Sequence, residues 1–204
     1  MREVVLASGL WMPAAGMAFV AARLRRAGFA PRTFAYDGRQ PLEANIERFA
    51  QFVAASRAGE APHLVGHSLG GVLTFDSLSA HPDVAVGRVV LLGSPVCGSL
   101  AGRRLGRYAV GRWMLGASAP RWREREAAWP RREALGVIAG TLPLGLGQLL
   151  GRLPGENDGV VCVAETAAAG MADRALVRHG HSMLAFSSEV AVLVQRFLAT
   201  GRFA

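Results

Sequence analysis

Six short, mostly apolar segments punctuate this chain, at Glu3–Ala7, Arg32–Tyr36, His63–Gly66, Arg88–Leu92, Leu135–Ala139 and Arg174–Val177. Their length and content predict strands. Between them the apolar residues recur at helical spacing. Met17, Val20, Ala21 and Leu24 mark a helix over Ala15–Arg26 that stops at Ala27-Gly28. Leu42, Ile46, Phe49 and Val53 mark another over Leu42–Ala55, and a third runs from Gly71 to Ser79. Val190, Leu193, Val194 and Phe197 give a last helix, Met183–Leu198, its inner side. Strands separated by helices imply right-handed crossovers, hence an α/β fold with a mostly parallel sheet and helices on both faces.

Sites in such sheets gather at the carboxyl ends of strands. Ser8-Gly9-Leu10, Ser68, Gly93-Ser94 and His181 all fall at such ends. The richest is Leu64-Val65-Gly66-His67-Ser68-Leu69-Gly70-Gly71, where an apolar run enters a G-x-S-x-G and a helical pattern leaves it. A serine on a sharp strand-to-helix turn needs a strained backbone, and side chains at Gly66 and Gly70 would collide with neighbouring elements. The turn pushes the Ser68 hydroxyl out of the sheet and aims N–H groups at a place where negative charge is stabilised. The motif alone is weak in a chain of 25 glycines; its strand–turn–helix setting makes Ser68 a candidate nucleophile.

The 204 residues fit one domain, 1–204, and a hydrophobic content of 51% suffices for a buried sheet. All 23 basic residues are arginine, a coding bias more than a device, and the net charge of +8 favours anionic surfaces or substrates. Cys97 and Cys162 lack metal-ligand spacing and are too few for a disulfide framework. The apolar run at the N-terminus stops at Ser8-Gly9, too short for a signal peptide, and no run reaches the roughly 20 apolar residues of a membrane span, so a cytoplasmic location is expected.

From about Leu100 to Trp129 the alternation breaks. Arg103, Arg104, Arg107, Arg112, Arg121, Arg123 and Arg125 lie among Tyr108, Trp113, Trp122 and Trp129. One reading is a pair of short helices with arginines facing water. Another is a cap or lid over residues 100–130 that touches an anionic membrane surface. Nothing resembles a nucleic-acid-reading module.

These motifs resemble those of lipase-type α/β-hydrolases. Gly66–Gly71 is similar to their nucleophile motif, Ser8-Gly9-Leu10 to their first-strand loop, and Gly93-Ser94-Pro95-Val96-Cys97-Gly98-Ser99 to a third segment. Asn157-Asp158-Gly159-Val160-Val161 and His181-Ser182-Met183-Leu184 resemble their acid and histidine segments. The likeness spans the chain apart from the arginine-rich insertion, and it departs at Ser8, where the family carries histidine. It implies Ser68 as nucleophile, His181 as base and Asp158 as orienting acid. It also implies backbone N–H groups of Leu10 and Leu69 as the oxyanion hole, with no metal or organic cofactor.

Each role has rivals. His179 lies two residues before His181, and residues i and i+2 of an extended strand share a face, so periodicity cannot separate them; the family pattern favours His181. His63, His67 and His81 have ordinary structural readings. Glu156, Asp173 and Asp76 compete with Asp158, which could be a mere turn residue in Asn-Asp-Gly; Asp76, on the helix after the turn, reads as solvated or capping. The expected activity is hydrolysis of carboxylic esters with an apolar acyl chain, small-molecule or lipid, held near Trp11, Met12 and Leu142–Leu153. Thioester or other acyl hydrolysis on the same residues, and a non-catalytic binding protein on this scaffold, are the alternatives.

Overall fold

The computed structural model describes residues 1–10, 12, 14–37, 40–56 and 59–204, excluding the side chains of residues 14, 119–121 and 149. Six strands form one parallel sheet: β1 (Glu3–Ala7), β2 (Ala30–Phe34), β3 (His63–His67), β4 (Val89–Leu92), β5 (Leu135–Gly140) and β6 (Asp173–Val177). Their order is β2-β1-β3-β4-β5-β6. Helices α1 (Ala18–Arg26), α2 (Leu42–Ala54), α3 (Leu69–Ala80), α4 (Leu100–Leu105), α5 (Ala109–Leu115) and α6 (Ser188–Thr200) connect or follow them.

The four inner strands β1, β3, β4 and β5 read as apolar runs because both faces are covered. On one face Val4, Leu6, Val65, Val90, Leu92 and Ile138 pack with α1 and α6 through Val20, Leu24, Val194 and Phe197. On the other, Val5, Ala7, Leu64, Val89, Leu91 and Val137 meet α2 and α3 through Ile46, Phe49, Leu73 and Leu78. Consecutive residues of a strand serve opposite layers, the period-two geometry of a pleated sheet. Phe197 is fully buried against Gly136 of β5, where a Cβ would come within 2.7 Å of its ring. Phe197→Ala therefore empties a space that the sheet cannot refill. It should lower unfolding free energy by about 3–5 kcal/mol, read as a shift in urea midpoint.

Several boundaries differ from the sequence pattern. Pairing with β1 from Glu3↔Ala30 to Ala7↔Phe34 starts β2 two residues earlier than expected. Pro31 lies inside that strand without cost to the sheet, because β2 is an edge. The expected helix Met183–Leu198 is two pieces: a 3-10 turn at His181–Ala185, then α6, with the Ser187 hydroxyl accepting the Val190 N–H as its N-cap. The first helix likewise opens with a 3-10 turn at Ala14–Met17.

The chain runs outward from β1 to β2, then crosses back over β1 to β3. Strand order reverses between β1 and β3, so the loops at their carboxyl ends meet at the topological switch point of the sheet. Ser8-Gly9-Leu10 and Ser68 lie on those loops.

Candidate active site

Ser68 has φ 54° and ψ −124°, the one positive φ outside glycine among the described residues. The turn survives because its surroundings leave the backbone no alternative. A Cβ at Gly66 would overlap Gly71, one at Gly70 would overlap the Ala7 and Ser8 carbonyls, and one at Gly71 would overlap the Ser94 hydroxyl. The motif's glycines are thus set by close approach of backbones. Leu69 is the first residue of α3, so its N–H has no acceptor within the helix.

Gly9 brings the β1 loop against the serine, since a Cβ there would lie 2.9 Å from Ser68 Cβ and 3.4 Å from its Oγ. Ser8, where a histidine was expected from the resemblance, is buried and donates from Oγ to the Met12 carbonyl at 3.0 Å. Its own carbonyl accepts the Tyr36 hydroxyl at 2.7 Å, and Met12 N–H donates to Gly9 O. This loop is therefore folded on itself without an imidazole. Leu10 packs with Leu69, Val72, Leu115 and Trp122. Met12 lies half-buried against the β1–α1 layer, and Trp11 lies outside the described residues.

Ser68 Oγ–H donates to His181 Nε2 at 2.9 Å, and His181 Nδ1–H donates to Asp158 Oδ2 at 2.7 Å. The tautomer follows from the partners: a carboxylate only accepts, so Nδ1 carries the proton and Nε2 is free to take one. Asp158 is 1% exposed. Its Oδ1 accepts the N–H groups of Val160 and Val161 at 2.9 and 2.7 Å. The backbones are tied as well, His181 N–H donating to Asp158 O at 2.9 Å. Asp158 is both a turn former and the partner of an imidazole. Gly93 (φ +53°) floors the pair: a Cβ there would sit 3.1 Å from Asp158 Oδ2 and 3.3 Å from His181 Nδ1.

The rivals lie elsewhere. His179 Nε2 faces Glu189 Oε2 at 3.0 Å and the Ser187 hydroxyl at 2.8 Å. Glu156 is exposed, and Asp173 accepts the Phe203 N–H. Asp76 is a correction: it is buried, not solvated, and pairs with Arg125 at 2.8 Å. That ion pair ties the arginine-rich insertion to α3. His81 faces Glu47 at 3.1 Å. The cysteines are free, and burial pushes the Cys162 thiol up to about 11. Among the described residues no group of three His, Cys, Asp or Glu side chains could hold a metal ion, and no helix is long and apolar enough to cross a membrane.

The residue that sequence reasoning undervalued is His67. Its Nε2–H donates to the His181 carbonyl at 3.1 Å, and the two rings lie 5.0 Å apart. Its Nδ1 has no partner among the described residues. Burial, reinforced by repulsion from His181, pulls its pKa down to about 3. His63, at the start of the same strand, is pulled to about 4 by burial and by Arg2 and Arg88. Both rings are neutral in the fold and would gain a proton on unfolding below their ordinary value of 6.5. Their stabilisation is complete above 6.5 and is lost as the pH falls toward 4 and 3. Each should contribute a slope of about 1.4 kcal/mol per pH unit across its window. Urea midpoints between pH 7 and pH 4 should thus fall steeply, and His63→Phe should flatten the decline by one proton's worth.

A strained serine at the switch point of a parallel sheet, relayed through an imidazole to a buried carboxylate, defines a class of α/β site. The chain has the α/β-hydrolase fold. It superposes on the mature form of the Bacillus licheniformis lipase BlEst2 with a TM-score of 0.73, at 18% identity over 97% of this chain and 91% of that one. Against the propeptide form the TM-score is 0.76, again at 18% identity, over 90% of this chain but 47% of that one. This chain therefore spans about half of that longer form. A metagenomic carboxyl esterase is similar at 20% identity, TM-score 0.65, over 88% of this chain and 64% of that one. No protein-family model matches the sequence, and no curated protein matches it.

Proposed function

We propose that this chain is a serine hydrolase of carboxylic esters, working through an acyl-enzyme on Ser68. The observation that carries the reading is the unbroken relay from Ser68 Oγ through His181 to Asp158, on a turn that holds Ser68 at a positive φ. Fold likeness to a lipase and a carboxyl esterase agrees with it.

As Ser68 Oγ attacks the ester carbonyl carbon, His181 Nε2 takes the hydroxyl proton and Asp158 stabilises the imidazolium. The carbonyl oxygen gains negative charge and is met by the N–H groups of Leu69 and Leu10, each such donor being worth about 2.7–4 kcal/mol of barrier. Collapse breaks the bond to the alcohol, which leaves with the proton from His181. Water then attacks the acyl carbon as the same nitrogen takes its proton; collapse breaks the bond to Ser68 Oγ, which takes the proton back from His181, and the carboxylic acid leaves. The Ser8–Met12 hydrogen bond and the Tyr36 hydroxyl support the Leu10 loop in place of the missing histidine.

A fluorophosphonate probe should label the native chain and not Ser68→Ala or His181→Ala, whereas His179→Ala should label normally. A p-nitrophenyl ester series from acetate to palmitate then sets the acyl length. Labelling that survives without Ser68 would end this reading.

A further inference from the structure

The insertion from Leu100 to Trp129 has two unlike sides. Inward, Leu115 and Trp122 pack on Leu69 and Val72, next to Ser68. Arg125 is locked to Asp76 and to the Val96 carbonyl, and Arg103 pairs with Glu124. Outward, Tyr108, Val110 and Trp113 on and beside α5 are 61%, 68% and 66% exposed. Leu144 and Leu146, in the loop after β5 that packs near α4, are 69% and 70% exposed. Five large apolar side chains on one end of a domain are an unusual thing to show to water.

The charge of the insertion is mostly positive. Segment 100–129 carries seven of the 23 arginines against Glu124 and Glu126. Arg107, Arg112 and Arg123 are exposed and face no carboxylate among the described residues, while Arg112 and Arg104 reach only backbone carbonyls. A protein partner with an apolar patch would explain Trp113 and Val110 but would gain nothing from the arginines flanking them. A nucleic acid would explain the arginines but not the aliphatic side chains. An anionic bilayer takes both: Trp and Tyr settle at the headgroup level, Val and Leu enter the acyl boundary, and arginine meets phosphate.

We infer that the α5 face of the insertion docks on anionic membranes. Leu105 and Leu115 connect that face to Leu69 and Val72, so docking sets Ser68 near the lipid surface. The ester substrate is then one resident in, or partitioned into, that surface. The docking stands independently of the hydrolase reading; the location of the substrate rests on it.

The test is sedimentation of the native chain with vesicles of phosphatidylcholine alone and with about one-third phosphatidylglycerol. Binding is expected to the second only, and to fall as salt is raised from about 0.1 to 1 M. Arg107→Glu with Arg112→Glu should weaken it at least tenfold, since each arginine withdrawn from the lipid surface costs roughly fivefold. Val110→Ser with Trp113→Ser should weaken it at every salt concentration. Both variants should hydrolyse p-nitrophenyl butyrate, a soluble ester, at the native rate, which also shows that they fold. Native chain that ignores anionic vesicles, or variants that bind as the native does, overturn the docking. So does a dimer in gel filtration that Val110→Ser with Trp113→Ser dissolves, because the face would then pair two copies. Absence of butyrate hydrolysis in a vesicle-binding native chain would instead remove the hydrolase reading and leave the docking in place.

Discussion

Ser68→Ala should reduce kcat for p-nitrophenyl butyrate by roughly 10⁶-fold while leaving the far-ultraviolet circular dichroism unchanged. Removing His181 alone should cost about as much, and the double variant no more, because the groups act as one unit. A residual rate above about a hundredth of native would take Ser68 out of the chemistry. The same position allows a separation of function from stability. Serine at φ 54° stores strain on the order of 1–3 kcal/mol, and alanine inherits it. Glycine adopts that conformation freely and gives back only about 0.5–1 kcal/mol in unfolded-state entropy. Ser68→Gly should therefore be inactive yet more stable than Ser68→Ala by about 1 kcal/mol in urea denaturation.

Asp158→Asn should be the second most damaging change, near 10⁴-fold in kcat. The reasoning is geometric. Val160 and Val161 both donate to Oδ1, so an amide at this position must put its oxygen there. Its NH₂ then faces His181 Nδ1. A donor facing that nitrogen turns the ring into the other tautomer, with the proton on Nε2 and nothing left to accept from Ser68. The turn itself is kept, so stability should change little. Asp158→Ala loses the turn as well, leaving the buried Val161 N–H and its neighbour unanswered at about 1–3 kcal/mol each. Comparing kcat and urea midpoint for the two variants separates the two roles; equal stabilities would mean that the turn does not depend on the carboxylate.

How far the site could be read before the structure depended on what each residue touches. The inner strands were legible because burial on both faces leaves an apolar signature, and the turn at Ser68 because its glycines are spaced by the geometry they permit. Edge strand β2 starts two residues before the expected Arg32–Tyr36, because an edge strand tolerates Pro31. His179 and His181 could not be separated by alternation, and the structure shows why: β6 ends at Val177, so neither lies on a strand. His181 begins a 3-10 turn, while His179 joins the cap of α6. Asp158 was ambiguous because its two roles use different oxygens of one carboxylate. His67 gave no signal, since a hydrogen bond from its ring to the His181 carbonyl leaves no spacing pattern. Trp113 and Trp122 look alike in sequence, yet one is exposed and the other covered.

The insertion has a narrow neck. Ser99 N–H donates to the Trp122 carbonyl at 3.0 Å, and Arg125 N–H to the Cys97 carbonyl at 3.0 Å. Beside it, Glu165 accepts from the N–H groups of Leu100 and Cys162, fastening the start of α4 to the loop that carries Asp158. A segment whose two ends already touch is an exchangeable cassette. Trading it for a shorter or longer one alters loop-closure entropy only slowly with length and asks nothing of the sheet. What any replacement must bring is a cover for Leu69 and Val72, the two apolar side chains of α3 next to Ser68.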